Sequence, residues 1–365
     1  TLLDIKSILR KSRAISSSNN KSIIAQLCDI LRLRLGFSKL GADDYYLYKL
    51  YNDELYSFED KKEFIGWRAA NKIDLALNSD KWRVFANDKI QFDKAMSDAE
   101  LRTPRIASLF VNNTTSTCSA TTLDTIEEVR AFFLCKDNYP TFIKPVHGTY
   151  GRGCYSLLSV CVESESVQIG DGSVMSVSEI ISQIQQPWAE GYLIQELLTP
   201  HPKIFAIVGN RLSSLRIIVI QSNGTPQIHR AVWKLPTGQN MSDNFMHGEL
   251  GNLIANVDPK NGVVTNVIGK INGELANVES HPDTGAHLSK LTIPLWPEIV
   301  EYCTKASSLF PGLSMQHWDI AICPEGPVAL EVNVEGSLDL HQIAGRKGVY
   351  DSVLKDTFAQ HEVTS

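Results

Sequence analysis

Apolar residues change their spacing along this chain. From 23 to 80 they recur at helical intervals, and "DDYYLYKLYNDELY" adds an aromatic stripe that predicts packing into a core rather than a ligand box. "DKIQFDKAMSDAELRTP" (88–104) reads as another helix, closed at Thr103-Pro104 because the residue before a proline disfavours helical backbone. Strand-like runs dominate from 140 to 235, a Gly/Asn-rich region follows, and helical spacing returns near 296–309. The polar stretch "NNTTSTCSATTLDT" (112–125) reads as a loop at a subdomain edge, and no internal repeat is present. The first 22 residues are basic and Ser-rich like a transit peptide, but Asp4 interrupts them and they lack a continuous apolar segment, so a short helix and a loop are expected. No run approaches the roughly 18 apolar residues of a membrane helix.

The pattern closes on "HWDIAICPEGPVALEVNVEG" (317–336). Two β-branched, apolar runs are parted by "PEG", which predicts an antiparallel hairpin. Side chains alternate along a strand, so Glu331 and Asn333 share a face, and cross-strand pairing can bring Asp319 beside them. Neighbouring carboxylates repel unless a proton or cation lies between them, and such hard oxygen donors suit Mg²⁺, which usually arrives with phosphate. Taken alone, the pattern also fits a solvated hairpin face.

Two further stretches bear on that choice. In "YPTFIKPVHGTYGRGCYSLLSV" (139–160) a strand runs into a loop holding Gly148, Gly151 and Gly153, and a second strand follows. Glycines let backbone amides approach phosphate oxygens, and Lys144 can add a point charge. The spacing is neither that of a P-loop nor that of a dinucleotide fold, and by itself it equally suits a hairpin tip. "GYLIQELLTPHP" (191–202) is an apolar strand ending in a Pro-bounded turn, where backbone groups can meet an adenine edge between apolar walls.

With 365 residues, 43% hydrophobic and 21% charged, the chain has enough apolar surface for an enzyme-sized unit of two or three subdomains. A formal net charge of −6, with no basic block interleaved with aromatics, argues against nucleic acid as a partner. The seven cysteines are scattered and never in C-x-x-C spacing, as expected of reduced thiols in a cytoplasmic protein. The size admits a symmetric homodimer.

The order of Lys, Gly-rich loop, strand exit and acidic hairpin resembles the ATP-grasp superfamily over roughly residues 80–345, and within it the sugar-transfer associated ATP-grasp family. The narrower likeness rests on "NDKIQFDKAM", "FIKPVHGTYGRG", "IQELLTPHP", "LSSLRIIVI", "SDNFMHGELGNLIANVDPKNG", "HPDTG", "IPLWPE" and the closing hairpin. The resemblance implies an α+β fold in which two subdomains clasp ATP, with a helical N-terminal region at 1–80. A linker or pre-grasp part would span 81–138, a nucleotide-clamping part 139–204, and a metal- and substrate-binding part 205–365. It implies ATP and Mg²⁺ as cofactors, and a ligase joining a small carboxylate to an amine through an acyl phosphate, in polysaccharide or secondary-metabolite biosynthesis. Phosphorylation of an alcohol and nucleotide binding without catalysis remain as alternatives.

By the same resemblance, Lys89 and Lys144 contact the phosphates, and the loop with His147, Gly148, Gly151, Arg152 and Gly153 closes over them. Glu196 and Leu198 frame the adenine, His201 lies near the ribose, and Asp319, Glu331 and Asn333 hold Mg²⁺. Many peptide-ligase relatives carry Arg two residues before the metal Asp, where this chain has His317. The oxyanion therefore falls to His317, Lys234 or Arg216, of which Arg216 is favoured because a guanidinium stays charged. Asn244 and Gly248 of "SDNFMHGELGN", with His281 and Asp283 of "HPDTG", are expected at the acceptor pocket, although a surface loop and a turn cap fit these segments as well.

Overall fold

The computed structural model describes residues 2–110, 121–146, 151–222 and 224–362. His147 and Gly148, and most of the polar stretch 112–125, lie outside the described residues. The chain forms two mixed α+β layers, each built on a seven-stranded sheet.

The first sheet comprises β1 (Ile106–Phe110), β2 (Thr121–Thr122), β3 (Thr141–Pro145), β4 (Tyr155–Cys161), β5 (Ser166–Ile169), β6 (Val174–Ser176) and β7 (Tyr192–Glu196), in the order β2-β1-β7-β3-β4-β5-β6. Residues 106–110, grouped with the linker above, thus pair with β7. Helices Ile126–Leu134 and Val177–Ile184 each begin with a capping box, Thr125 with Glu128 and Ser176 with Glu179, which satisfies backbone amides that a helix start leaves open. Their apolar faces bury Val129, Phe133, Ile180 and Ile184 against Ile143, Leu157 and Ile194 of the sheet.

The second sheet comprises β8 (Ser214–Ser222), β9 (Thr225–Leu235), β10 (Leu253–Val257), β11 (Val264–Ile271), β12 (Glu274–Asn277), β13 (Met315–Cys323) and β14 (Gly326–Asn333), in the order β12-β11-β10-β9-β8-β13-β14. One face is apolar throughout: Leu215, Ile217, Trp233, Trp318 and Ile320 pack on Phe92, Met96, Ile299, Cys303 and Phe310. The opposite face starts apolar and turns charged. Ile218, Ile220 and Met315 are covered by Ile73 and Leu77 of helix Trp67–Leu77, while Val232 and Ile254 are covered by Leu33, Tyr45 and Tyr46. The aromatic stripe of 43–56 is therefore core, with Tyr45, Tyr46, Tyr48 and Tyr56 all buried.

Phe310 anchors the apolar face, its ring 5.7 Å from Trp318 and 6.1 Å from Phe92 between centroids. Phe310→Ala should therefore cost about 3–5 kcal/mol of folding stability. In urea titrations this is expected as a lower midpoint with an unchanged slope.

Candidate active site

The charged half of the second sheet follows from strand register. Asp319 of β13 lies directly opposite Arg216 of β8 and opposite Glu331 of β14, and His317 lies opposite Asn333. Arg216 grips Asp319 with two parallel bonds, Nε to Oδ1 at 2.8 Å and Nη2 to Oδ2 at 2.9 Å. Lys234 Nζ reaches Asp319 Oδ1 at 3.2 Å and Asp243 Oδ1 at 3.3 Å. Asp243 also accepts from the Ser214 amide at 2.8 Å and the Ser214 hydroxyl at 2.6 Å.

Asp319 is 5% exposed and Lys234 4%. Burial by itself would raise the Asp319 carboxyl, but Arg216 and Lys234 outweigh it and hold it well below the usual carboxylate range. Burial likewise opposes the charge on Lys234, and Asp243 and Asp319 overcome it, leaving the ammonium group more basic than usual.

Glu331 and Asn333 stand at the edge of this cluster. The Asn333 amide donates to Glu331 Oε1 at 3.0 Å and faces Asp319 Oδ2 at 3.5 Å, so it bridges two carboxylates as a cation would. A turn of that amide presents its oxygen instead, completing a set of hard oxygen donors suited to Mg²⁺. The residues present fit the metal.

Across from them stand two lysines. Asp88 caps helix Lys89–Asp98 by accepting from the Ile90 and Gln91 amides, which makes Lys89 its first residue. Lys89 Nζ donates to the Pro145 and Val146 carbonyls, both at 3.0 Å, at the mouth of the Gly-rich loop. Burial, with help from Lys144, lowers Lys89 to about 8. Lys144 is also lowered, mainly by burial, with Glu331 and Cys154 opposing. Lys89, Phe92, Lys144, Leu193, Gln195 and Leu330 line a narrow cleft between the two sheets.

Gly151 and Gly153 have φ of +72° and +74°, a backbone region glycine enters without strain. A Cβ on Gly153 would come within 2.6 Å of Tyr192 Oη, and one on Gly151 would lie 3.7 Å from Ser242 Oγ and 3.8 Å from Asn244 Nδ2. Gly151 thus faces the segment 242–244 of the other layer. Arg152 stacks on the Trp188 ring at 4.4 Å.

Other candidates are placed apart from this cluster. Glu196 pairs with Thr141, and its side chain faces away from the cleft. There it accepts from the Arg105 amide at 3.0 Å and lines a hollow of about 380 Å³ with Phe132, Tyr139 and Pro140. Only its backbone stands at the strand exit toward Leu198, which packs, as do Leu212 and Leu330, on the cluster of Ala321, Cys323 and Val328. His201 caps helix Pro202–Val208, Nδ1 accepting from the Lys203 amide at 3.1 Å. His281 is buried with Nε2 3.0 Å from the Pro236 carbonyl, and Asp283 binds Arg211 at 2.7 Å and the Gly238 amide at 2.8 Å. Gly248, at a φ of +78°, packs on Lys270, whose Cβ would lie 2.6 Å from any Cβ at this position. His317 is fully buried, 3.5 Å from Asp74 Oδ1, beneath Gly336, where any side chain would overlap its ring.

Sequence reasoning did not single out Asp74, a helix residue with no local signal. The frame set by Asn252 was also missed as such: its Nδ2 donates to the Ser242 and Asn244 carbonyls at 2.8 Å, while its Oδ1 accepts from the Thr237 amide at 2.9 Å.

Two layers closing on paired lysines and an acidic hairpin define an ATP-grasp protein. The chain belongs to the sugar-transfer associated ATP-grasp family, whose model matches residues 69–357. Among solved structures it is similar to the ATP-grasp ligase PsnB complexed with minimal precursor, at 16% identity and TM-score 0.42 over 78% of this chain and 64% of that one. Similarity extends to an L-amino acid ligase from Bacillus licheniformis, at 12% identity and TM-score 0.41, covering 80% and 52% of the respective chains. PsnB has also been solved with a phosphomimetic precursor variant, Mg and ADP, at TM-score 0.40, 16% identity and coverage of 78% and 61%. The chain thus spans less than two thirds of the length of these solved structures. No curated protein matches it in sequence.

Removing one partner of a buried ion pair strands the other charge. Arg216→Met should therefore destabilise the fold by about 3–5 kcal/mol, the range for a broken buried pair, measured by urea unfolding near neutral pH.

Proposed function

We propose that this protein is an ATP-dependent carboxylate-amine ligase that forms an amide or peptide bond through an acyl phosphate and releases ADP and phosphate. The observation that carries the reading is the set of Asp319, Glu331 and Asn333 backed by Arg216 and Lys234 and faced by Lys89 and Lys144. Lys89 and Lys144 would hold ATP phosphates, with Gly151 and Gly153 letting the loop backbone approach them. The adenine would lie between the sheets against Leu198 and Leu330. Asp319, Glu331 and Asn333 would hold Mg²⁺, which offsets phosphate charge when bound.

A substrate carboxylate oxygen attacks the γ-phosphorus and the bond to ADP breaks. The amine then attacks the acyl carbon, phosphate leaves, and the nitrogen releases a proton. Arg216 spends Nε and Nη2 on Asp319, so its Nη1 edge is what it offers to the developing oxyanion. Lys234 stands beside it as a second fixed cation. His317 is sealed behind Gly336, which favours Arg216 for this role. Asn244, framed by Asn252 and facing Gly151, would meet the acceptor. The substrates are thus a small carboxylic acid and an amine. Among the described residues no helix is long and apolar enough to cross a membrane.

ADP and phosphate release from Mg-ATP across a panel of carboxylic acids, with hydroxylamine and with amines, tests the reading. It requires acid-dependent ADP release with a hydroxamate or amide product, reduced at least roughly tenfold in Glu331→Gln. A stable phosphorylated alcohol would instead identify a kinase.

Nucleotide affinity should also bend near pH 8. Lys89 sits at about 8 without ligand, and phosphate oxygens favour its charged form. Binding is therefore strongest below that pH and weakens above it, by up to about tenfold per pH unit for one linked proton. Lys89→Arg, whose charge persists, should flatten this bend when ATP affinity is followed by calorimetry from pH 7 to 9.5.

A further inference from the structure

The ladder between β13 and β14 ends at His317 opposite Asn333, so the last rung carries a metal-site residue at the open end of the hairpin. Strand ends fray unless their backbone groups find partners. Beyond that rung the partner is a side chain from the helical N-terminal region. Asn78, 2% exposed, donates through Nδ2 to the Met315 carbonyl at 2.8 Å and the Val334 carbonyl at 3.2 Å. Its Oδ1 accepts from the Met315 amide at 3.1 Å. One amide thus spans the first residue of β13 and the residue after Asn333.

The surrounding backbone fixes Asn78 in turn. The Ser314 amide donates to the Leu77 carbonyl and the Ser79 amide to the Gly312 carbonyl, each at 3.0 Å, so Asn78, just past the helix end, forms a single antiparallel bridge with Leu313. The flanking side chains reach the same hairpin, Asp74 toward His317 and Arg83 in an ion pair with Glu335.

We infer that Asn78 is a positioning residue for the metal-binding hairpin, adding a rung that holds Asn333 in line with Asp319 and Glu331. The inference rests on the reading of those three residues as a metal site. The Asn78 amide is taken up by the Met315 and Val334 backbone, so its effect passes through the strand ends. Residues that orient metal ligands typically change affinity about 10- to 100-fold when altered.

The test is Mn²⁺ binding with saturating ADP, free Mn²⁺ being counted by electron paramagnetic resonance, for wild type, Asn78→Ala and Leu77→Ala. Leu77 is equally buried in the same segment but contributes packing, so its loss should lower the melting temperature and leave Mn²⁺ affinity within about twofold. Asn78→Ala should weaken Mn²⁺ binding at least about tenfold. If Asn78→Ala does not fold, Asn78→Ser, which keeps one donor, should show a smaller loss in the same direction. Wild-type affinity in the Asn78 variants, or an equal loss in Leu77→Ala, overturns the inference and leaves the ligase reading intact. Absence of ADP-dependent Mn²⁺ binding by the wild type overturns both.

Discussion

The buried pairing of Asp319 with Arg216 and Lys234 is the constraint on which the second sheet depends. A buried charge is tolerable only when its partners are held in place, and here the three belong to three adjacent strands. Their neighbours in sequence, Leu215, Trp233 and Trp318, point to the opposite face and form the apolar core. A one-residue slip of any strand would put the charge into that core and an apolar residue into the charged patch. Register, core packing and site geometry are therefore one condition. The same register sets Glu331 opposite Asp319 and Asn333 opposite His317.

That condition explains how the N-terminal helices serve the site. They cover the apolar part of the charged face with Ile73 and Leu77, and at its polar end they present Asp74 to His317 and Asn78 to the strand ends. Without that cover Ile218, Ile220 and Met315 would meet water beside the site, raising the exposure of charges whose strength depends on a poorly polarisable setting.

Some of this was legible in the chain because its causes are local. The hairpin follows from alternation and "PEG", the strand after the Gly-rich loop from "YSLLSV", and the aromatic core from helical spacing of Tyr45, Tyr46 and Tyr48. The pairing of Asp319 with Glu331 across the hairpin follows from period two once the turn is fixed. Other placements depend on which face meets which layer. Glu196 lies in an apolar strand buried on both sides, so nothing local decides which way its carboxylate points. Asp74 sits in "NKIDLAL", where a helical Asp ordinarily faces solvent. Its burial beside His317 is a contact with a strand far away in sequence, which the helix pattern does not reveal.

Charge distribution connects this geometry to the ligand class. The chain is acidic overall, at −6, which by itself repels a polyanion. Within the cleft, however, Arg216 and Lys234 are balanced by Asp319 and Asp243, so neither pair carries the local field. What remains is Lys89 and Lys144, opposed by Glu331 and Asp93, and burial lowers both lysines despite that opposition. Cations that burial disfavours in a confined, poorly solvated space are stabilised by an anion that enters it. Lys144 stands on the first sheet with the Lys89 ammonium bonded to its edge, and Asp319 and Glu331 stand on the second, so under the proposed assignment the ligand that best satisfies both is a phosphate chain carrying its own divalent cation, which would link the layers on binding.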